Sequence, residues 1–335
     1  MNECIGKPPV IIDTDPGVDD LVSIIWLLAN GSFDIKALTV TNGNVGLDKC
    51  VLNALRVLEL CKRTDIPVYA GAYCPLVRPS IDAAWVHGKD GLGEAEFPPP
   101  KTKPAKGYAP SEMVRIAKES KEPVTILAIG PLTNVALAIL LDRTFKDHVK
   151  EILFMGGAVL VPGNESPGAS FNAAVDPEAA KVVYNSGIPV VQLGLDVCDC
   201  VNRTYEDLDR IEAIGTEVTD FITNLLAQRR KGCIKPVKDK EGNIIGQAQN
   251  SSLFPNLAGG VVINDMTTTA YLIKPDWFKT IKARIDIDTG GLCPGQTLVD
   301  FKGYWGKEPN GYFAYDVDGR ATIEQWIKDL ERFNP

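Results

Sequence analysis

Val10-Ile11-Ile12-Asp13-Thr14-Asp15-Pro16-Gly17-Val18-Asp19-Asp20 is the stretch on which the reading of this chain turns. The apolar run Val10–Ile12, cut off soon afterwards by Pro16-Gly17, reads as a buried strand ending in a tight turn. Leu21 to Ala29 is almost wholly apolar and reads as a helix. Between them, Asp13, Asp15, Asp19 and Asp20 pack four carboxylates into eight residues. In open α/β sheets the ligand crevice lies where strands hand over to helices. Buried carboxylates repel one another unless something positive holds them. Oxygen-only ligands suggest a hard cation, Ca2+ or Mg2+. Helix capping would account for Asp19 and Asp20, which fall in the first turn. It does not account for four acids with Pro-Gly between them.

The chain has 335 residues, 45% of them hydrophobic, enough for one large α/β domain over 1–335 with a substantial core. No linker, repeat or low-complexity tract divides it. No apolar run reaches about 18 residues, so no membrane span is expected. Met1 to Pro9 lacks the apolar core of a signal peptide. Thirty-five basic against 43 acidic residues give a formal charge of −8, and the absence of a basic stripe argues against nucleic acid as a partner. Eight cysteines are too few and too scattered for a disulfide framework. Cys198 and Cys200 form a C-x-C with no second pair or histidine nearby. Placed in a strand, they are expected to share a face as buried thiols. A reducing, cytoplasmic setting fits this usage.

Further strands are expected at Ile35–Val40, Pro67–Ala70, Val124–Ile129, Glu151–Met155 and Pro189–Asp196. Helices are expected at Asp19–Asn30, Asp48–Cys61, Ser111–Glu119, Leu132–Leu141 and Pro177–Ser186. The strands are continuously apolar, which means both faces are covered and the sheet is mainly parallel. From Tyr205 onward the pattern loosens. Tyr205–Ile214, Val218–Lys231, Met266–Ile273 and Ala321–Phe333 read as helices, the last as a C-terminal staple. The polar stretch 231–256, with Lys240-Glu241-Gly242-Asn243 as a hairpin turn, reads as a variable loop or an active-site flap.

The polar clusters after the strands converge on one rim. They are Asp15, Asp19 and Asp20; Thr41-Asn42-Gly43-Asn44; Gly130-Pro131-Leu132-Thr133-Asn134; and Gly156-Gly157 with Gly163-Asn164 and Phe171-Asn172. Any single Asn or Gly there is explained as a turn former. As a set sharing a rim with the acids, they suit a polyhydroxylated small molecule, because carboxylates and amides accept from and donate to vicinal hydroxyls.

These residues carry a resemblance. Asp13–Asp20 resembles the N-terminal signature of the nucleoside hydrolases, the inosine–uridine-preferring ribohydrolases. Gly43-Asn44, His87-Gly88, Gly91-Leu92-Gly93, Gly130–Asn134, Met155-Gly156-Gly157, Gly163-Asn164, Asp176-Pro177-Glu178-Ala179-Ala180 and Gly295-Gln296-Thr297 follow in the family's order. The resemblance implies a single-domain, open, mainly parallel sheet flanked by helices, and a homodimer or homotetramer. It implies Ca2+ held by Asp15, Asp20, Asp265 and the main-chain carbonyl of Ile129. Asp15 would also activate a water. Asp19, Asn44 and Asn172 would bind the sugar's vicinal hydroxyls, Asn164 would face its 5′ side, and Met155 would line its pocket. The reaction would be hydrolysis of a ribonucleoside to ribose and free base. Its oxocarbenium-like transition state is stabilised by nearby carboxylates.

Two departures qualify the resemblance. Asn264 stands before Asp265 where the family commonly has a histidine, and an amide donates no proton to a leaving base. His87 is then the candidate acid, with a structural contact to the sugar's 5′ side as the alternative, and Trp85 a candidate to stack on the base. Ser170 stands where the family has a glutamate in Ala-Glu-Phe-Asn, so the pocket there is expected to be larger and less acidic. Gln228, Arg229 and Arg230 occupy a region where some relatives carry tyrosines over the base. These changes also fit a specialised hydrolase of a modified nucleoside or riboside. A nucleoside- or ribose-binding protein without turnover is the rival from another class. An acid-rich phosphatase is disfavoured because no lysine completes its site.

Overall fold

The computed structural model describes residues 6–333, apart from 94, 96, 202, 228–233, 239–243 and 250–259. Gln228, Arg229, Arg230 and the turn at Lys240–Asn243 therefore lie outside the described residues. The strands are β1 (Pro9–Thr14), β2 (Asp34–Val40), β3 (Val68–Ala70), β4 (Val124–Ala128), β5 (Val149–Met155), β6 (Val190–Leu193), β7 (Arg203–Thr204), β8 (Ile234–Lys238), β9 (Ile244–Gln249), β10 (Gly260–Val261), β11 (Phe278–Ile287), β12 (Thr297–Asp300) and β13 (Gly311–Val317). Nine of them form one sheet in the order β12-β11-β13-β6-β5-β4-β1-β2-β3. Every neighbouring pair from β3 to β13 is parallel. β11 and β12 extend that edge antiparallel. No helix among the described residues is long and apolar enough to cross a membrane.

The continuously apolar strands are covered on both faces, as expected. Val10 and Ile12 of β1 enter one hydrophobic layer and Ile11 enters the other. Each such side chain, fully buried, stabilises the fold by about 1.5–3 kcal/mol. Helices Val18–Asn30, Leu47–Leu60, Glu217–Leu226, Asn264–Ile273 and Gly319–Leu330 supply the first layer. Ala109–Glu119, Thr133–Leu141 and Pro177–Tyr184 supply the second. The first helix stops at Gly31, whose φ of 68° is the left-handed cap that a glycine adopts without strain. The C-terminal staple is anchored by buried Asp329, which accepts hydrogen bonds from Trp26 Nε1 at 3.0 Å and Asn30 Nδ2 at 2.8 Å.

Two sequence expectations change. The strand expected over Pro189–Asp196 ends at Leu193. Gly194 caps a one-turn helix, Leu195–Cys198. Cys198 and Cys200 therefore share no strand face: Cys198 is buried and Cys200 is exposed. The segment 231–256 contains the antiparallel pair β8 and β9, and β8 runs beside the one-turn helix Ala84–His87.

Candidate active site

β1 is flanked by β2 on one side and β4 on the other. The chain winds outward in opposite directions from this point, and such a switch of direction opens a crevice at the carboxyl ends of the strands. Asp15 follows β1, Asn44 follows β2 and Ile129 follows β4. Ile129 N–H donates to Asp13 O at 2.9 Å, which ties the two central strand ends together.

The floor is built from Asp15 and Asp20, both fully buried. Asp15 Oδ2 accepts the Asn44 N–H at 2.7 Å. Asp15 Oδ1 is buried and takes no hydrogen bond. Asp20 Oδ1 accepts from Thr14 Oγ1 at 2.6 Å and from Asp15 N at 3.2 Å, and its Oδ2 from Gly17 N at 3.1 Å and Asn44 Nδ2 at 3.0 Å. Capping is thus part of what Asp20 does, since it satisfies the Gly17 N–H at the start of the helix. The close packing round Asp15 requires glycines. A Cβ on Gly43 would lie 2.0 Å from Asp15 Oδ2, and one on Gly130 would lie 2.7 Å from Asp15 Oδ1.

Above this floor lies a cleft lined by Asp19, Asn44, Trp85, His87, Ile129, Met155, Asn164, Ser170, Asn172, Asn264 and Asp265. Among the described residues, the fold thus gathers the candidate metal, sugar and base contacts at one place, with Asp15 and Asp20 beneath it. His148 lies elsewhere, in the turn Phe145–His148. Asp19 Oδ2 accepts the Asn264 N–H at 3.0 Å, which joins the first loop to the distant helix Asn264–Ile273. Asn172 Nδ2 donates to Ile129 O at 2.8 Å and to Met155 O at 3.0 Å. His87 Nδ1 accepts the Val18 N–H at 3.0 Å and stands 3.9 Å from Asp19 Oδ1. An Nδ1 that accepts a hydrogen bond fixes the neutral ring with its proton on Nε2. Trp85 is half-buried in the same one-turn helix. Sequence reasoning missed Ala83, Val86 and Glu165, which also line the cleft.

A family model described as inosine-uridine preferring nucleoside hydrolase matches residues 10–324. The chain belongs to the nucleoside hydrolase family. As a nucleoside hydrolase it is an enzyme of the N-glycosyl hydrolase class. The pyrimidine-specific ribonucleoside hydrolase RihA of Salmonella gallinarum is 36% identical over 326 residues, spanning 97% of this chain and 99% of that protein. RihA of Escherichia fergusonii is 38% identical over 324 residues, 96% of this chain and 98% of its own. Among solved structures, the plant nucleoside hydrolase PpNRh1 superposes with a TM-score of 0.86 at 28% identity, covering 97% of this chain and 99% of its own. The purine-preferring ribonucleoside hydrolase from Gardnerella vaginalis gives 0.86 at 25% identity with the same coverage. The single-domain α/β architecture expected from the sequence is therefore that of the nucleoside hydrolases.

The electrostatics of this nucleoside hydrolase floor are costly. Burial, and then the neighbouring Asp20 charge, hold Asp15 well above the usual carboxylate range. Burial raises Asp20 to about 6 against hydrogen bonds from Thr14 and Gly17 that favour its charge. Asp13, one layer below, is raised to about 7 by burial, although its Oδ1 accepts from Asn134 Nδ2 at 2.9 Å and Thr39 Oγ1 at 2.8 Å. Among the described residues no three His, Cys, Asp or Glu side chains form a ready-made metal cage. The chemistry of the donors nevertheless suits a hard cation. Asp15 Oδ1 is buried without a partner, Asp20 stands beside it, and the Ile129 carbonyl and Asp265 line the same cleft.

Proposed function

We propose that this enzyme hydrolyses the N-glycosidic bond of a pyrimidine ribonucleoside, giving ribose and free base, with Ca2+ bound at the floor of the cleft. The observation that carries the reading is the buried, partnerless Asp15 Oδ1 beneath an amide- and acid-lined cleft. The two RihA proteins, named for pyrimidine-specific ribonucleoside hydrolysis, support the choice of base.

Asp15, Asp20, Asp265 and the Ile129 carbonyl would hold the cation. Bound there, Ca2+ supplies positive charge that keeps the buried acids ionised at neutral pH and acidifies a nearby water. Asp15 Oδ1 takes the proton of the attacking water. Asn44 and Asn172 spend their N–H donors on the scaffold. Their carbonyl oxygens, with Asp19, accept from the sugar's vicinal hydroxyls. As the glycosidic bond breaks, its electron pair leaves with the base while positive charge develops on the sugar, and the acidic floor stabilises that charge. His87 donates a hydrogen bond from Nε2 to the departing base, and Trp85 stacks on it.

The experiment is a panel of uridine, cytidine, inosine and adenosine, assayed for free base and reducing sugar. Uridine and cytidine are expected to be cleaved fastest, with ribose as the sugar product. Ca2+-dependent ribose binding without base release from any nucleoside would replace this reading with that of a binding protein. Cleavage confined to a substituted analogue would favour the specialised hydrolase that Asn264 and Ser170 suggest.

A further inference from the structure

We infer that Ser23 is a positioning residue for the cation floor. Its hydroxyl clasps the main chain of Asp265 to the helix that carries Asp20, and so holds the distant arm of the cation site in register with the near one. The inference rests on the cation reading above.

Ser23 interrupts the apolar run Leu21-Val22-Ser23-Ile24-Ile25, whose other members all enter the hydrophobic core. A hydroxyl buried in such a run costs free energy unless it finds a partner. Here it reaches a second helix, 242 positions later in the chain. Ser23 Oγ donates to Asp265 O at 3.2 Å and lies 2.5 Å from Thr269 Oγ1. A hydroxyl carries one proton, so with Ser23 donating to the carbonyl, Thr269 is the donor in the second bond. All three residues are buried, Ser23 and Thr269 completely.

The clasp matters because of where it sits. Ser23 follows Asp19 and Asp20 by four and three residues, so the three share one side of the helix Val18–Asn30. Asp265 and Thr269 are likewise four apart on the helix Asn264–Ile273. Asp19 Oδ2 takes the Asn264 N–H at 3.0 Å, and the buried Cys198 thiol stands 3.6 Å from Asn264 O as a weak donor. The main chain of Asn264-Asp265 is therefore gripped at three points, two of them from the helix that carries Asp20. Asp265 lines the cleft, and Asp20 is buried beneath it. A cation shared between them needs its ligands held to within about 0.5 Å. Apolar contact between the two helices is non-directional, whereas a bond from hydroxyl to carbonyl fixes their spacing. A clasp that only joined the helices would stabilise the fold and leave cation affinity alone.

The test titrates Ca2+ calorimetrically into chelator-stripped wild type, Ser23→Ala, Thr269→Val and Val22→Ala, with thermal melting of each metal-free protein. Ser23→Ala should weaken Ca2+ binding about 10–100-fold, the usual cost of removing a group that orients a metal ligand. Thr269→Val should weaken it by a smaller factor, since Ser23 keeps its bond to the carbonyl. Val22→Ala truncates a buried apolar side chain of the same helix without touching the clasp. It should lower the melting midpoint at least as far as Ser23→Ala does, through the cavity it leaves, while the Ca2+ Kd stays within about twofold of wild type. A Kd for Ser23→Ala within about twofold of wild type would overturn the assignment, whatever its melting midpoint. Equal weakening in Val22→Ala would overturn it as well, because any loosening of the helix would then suffice. Absence of Ca2+ binding by wild type would overturn the cation reading and the clasp with it, whereas unchanged affinity in Ser23→Ala would overturn the clasp alone.

Discussion

Asp15→Asn separates what the floor does for catalysis from what it costs the fold. Asparagine is isosteric with aspartate. With its Oδ1 turned to the Asn44 N–H it keeps the 2.7 Å hydrogen bond, and its NH2 takes the place of the oxygen that has no partner. The backbone at Gly43 and Gly130, already packed against this side chain, need not move. What disappears is the proton acceptor. General-base help is worth about 10²–10⁴ in rate, or about 3–6 kcal/mol of barrier. Uridine turnover should therefore fall by at least 100-fold with KM changed far less. Stability should move the other way. Burial and the Asp20 charge raise the Asp15 pKa, so ionising it at pH 8 costs the metal-free native state more than the unfolded chain. The chelator-treated variant should melt above chelator-treated wild type, and only wild type should gain a large further rise from added Ca2+. The assays are single-turnover release of uracil and thermal melting with and without chelator. Activity within tenfold of wild type, or a lower melting midpoint in the metal-free variant, would refute the assignment of Asp15 as a buried base.

Three further outcomes follow from the same geometry. Gly43→Ala places a methyl 2.0 Å from Asp15 Oδ2 and should cut activity about 100-fold with the fold retained by circular dichroism; near-normal kinetics would mean that Asp15 does not need its present position. Asn264→His should speed inosine cleavage about tenfold or more if a missing proton donor limits purine release, while no gain would leave leaving-group help to His87. Asp13 and Asp20, raised from 3.8 to about 7 and about 6, make the metal-free protein most stable in acid and progressively less stable as pH rises through those values. Asp13→Asn keeps the acceptor for Thr39 and Asn134 and should flatten that dependence by up to about 4 kcal/mol between pH 4 and 7, measured by urea unfolding; an unchanged slope would show that Asp13 does not titrate there.

Strands β1 to β6 were legible because they are largely covered on both faces, whereas β13, parallel to β6 but interrupted by exposed and half-buried positions, was not. β1 and β4 are buried at every position, and such strands read as unbroken apolar runs. β11 was not legible, because it mixes exposed and buried positions along its length, as expected of an edge extension with one face partly in water. The acidic loop declared the floor because four carboxylates in eight residues have few structural uses. Glu165 gave no such signal. It lines the cleft from the loop before helix Phe171–Val175, where no periodicity marks its position. The cysteine pair misled for a related reason. Gly194 ends the strand and begins a helical turn, which sends Cys198 inward and leaves Cys200 exposed.

The most direct measurement is calorimetric titration of Ca2+ into protein stripped with chelator, with uridine hydrolysis followed on the same samples. The expected result is one site per chain, activity that is absent in the stripped protein and returns in step with site occupancy, and loss of both in Asp20→Asn and Asp265→Asn. Full uridine turnover by the stripped protein, with no heat of Ca2+ binding, would contradict a catalytic floor built around a divalent ion.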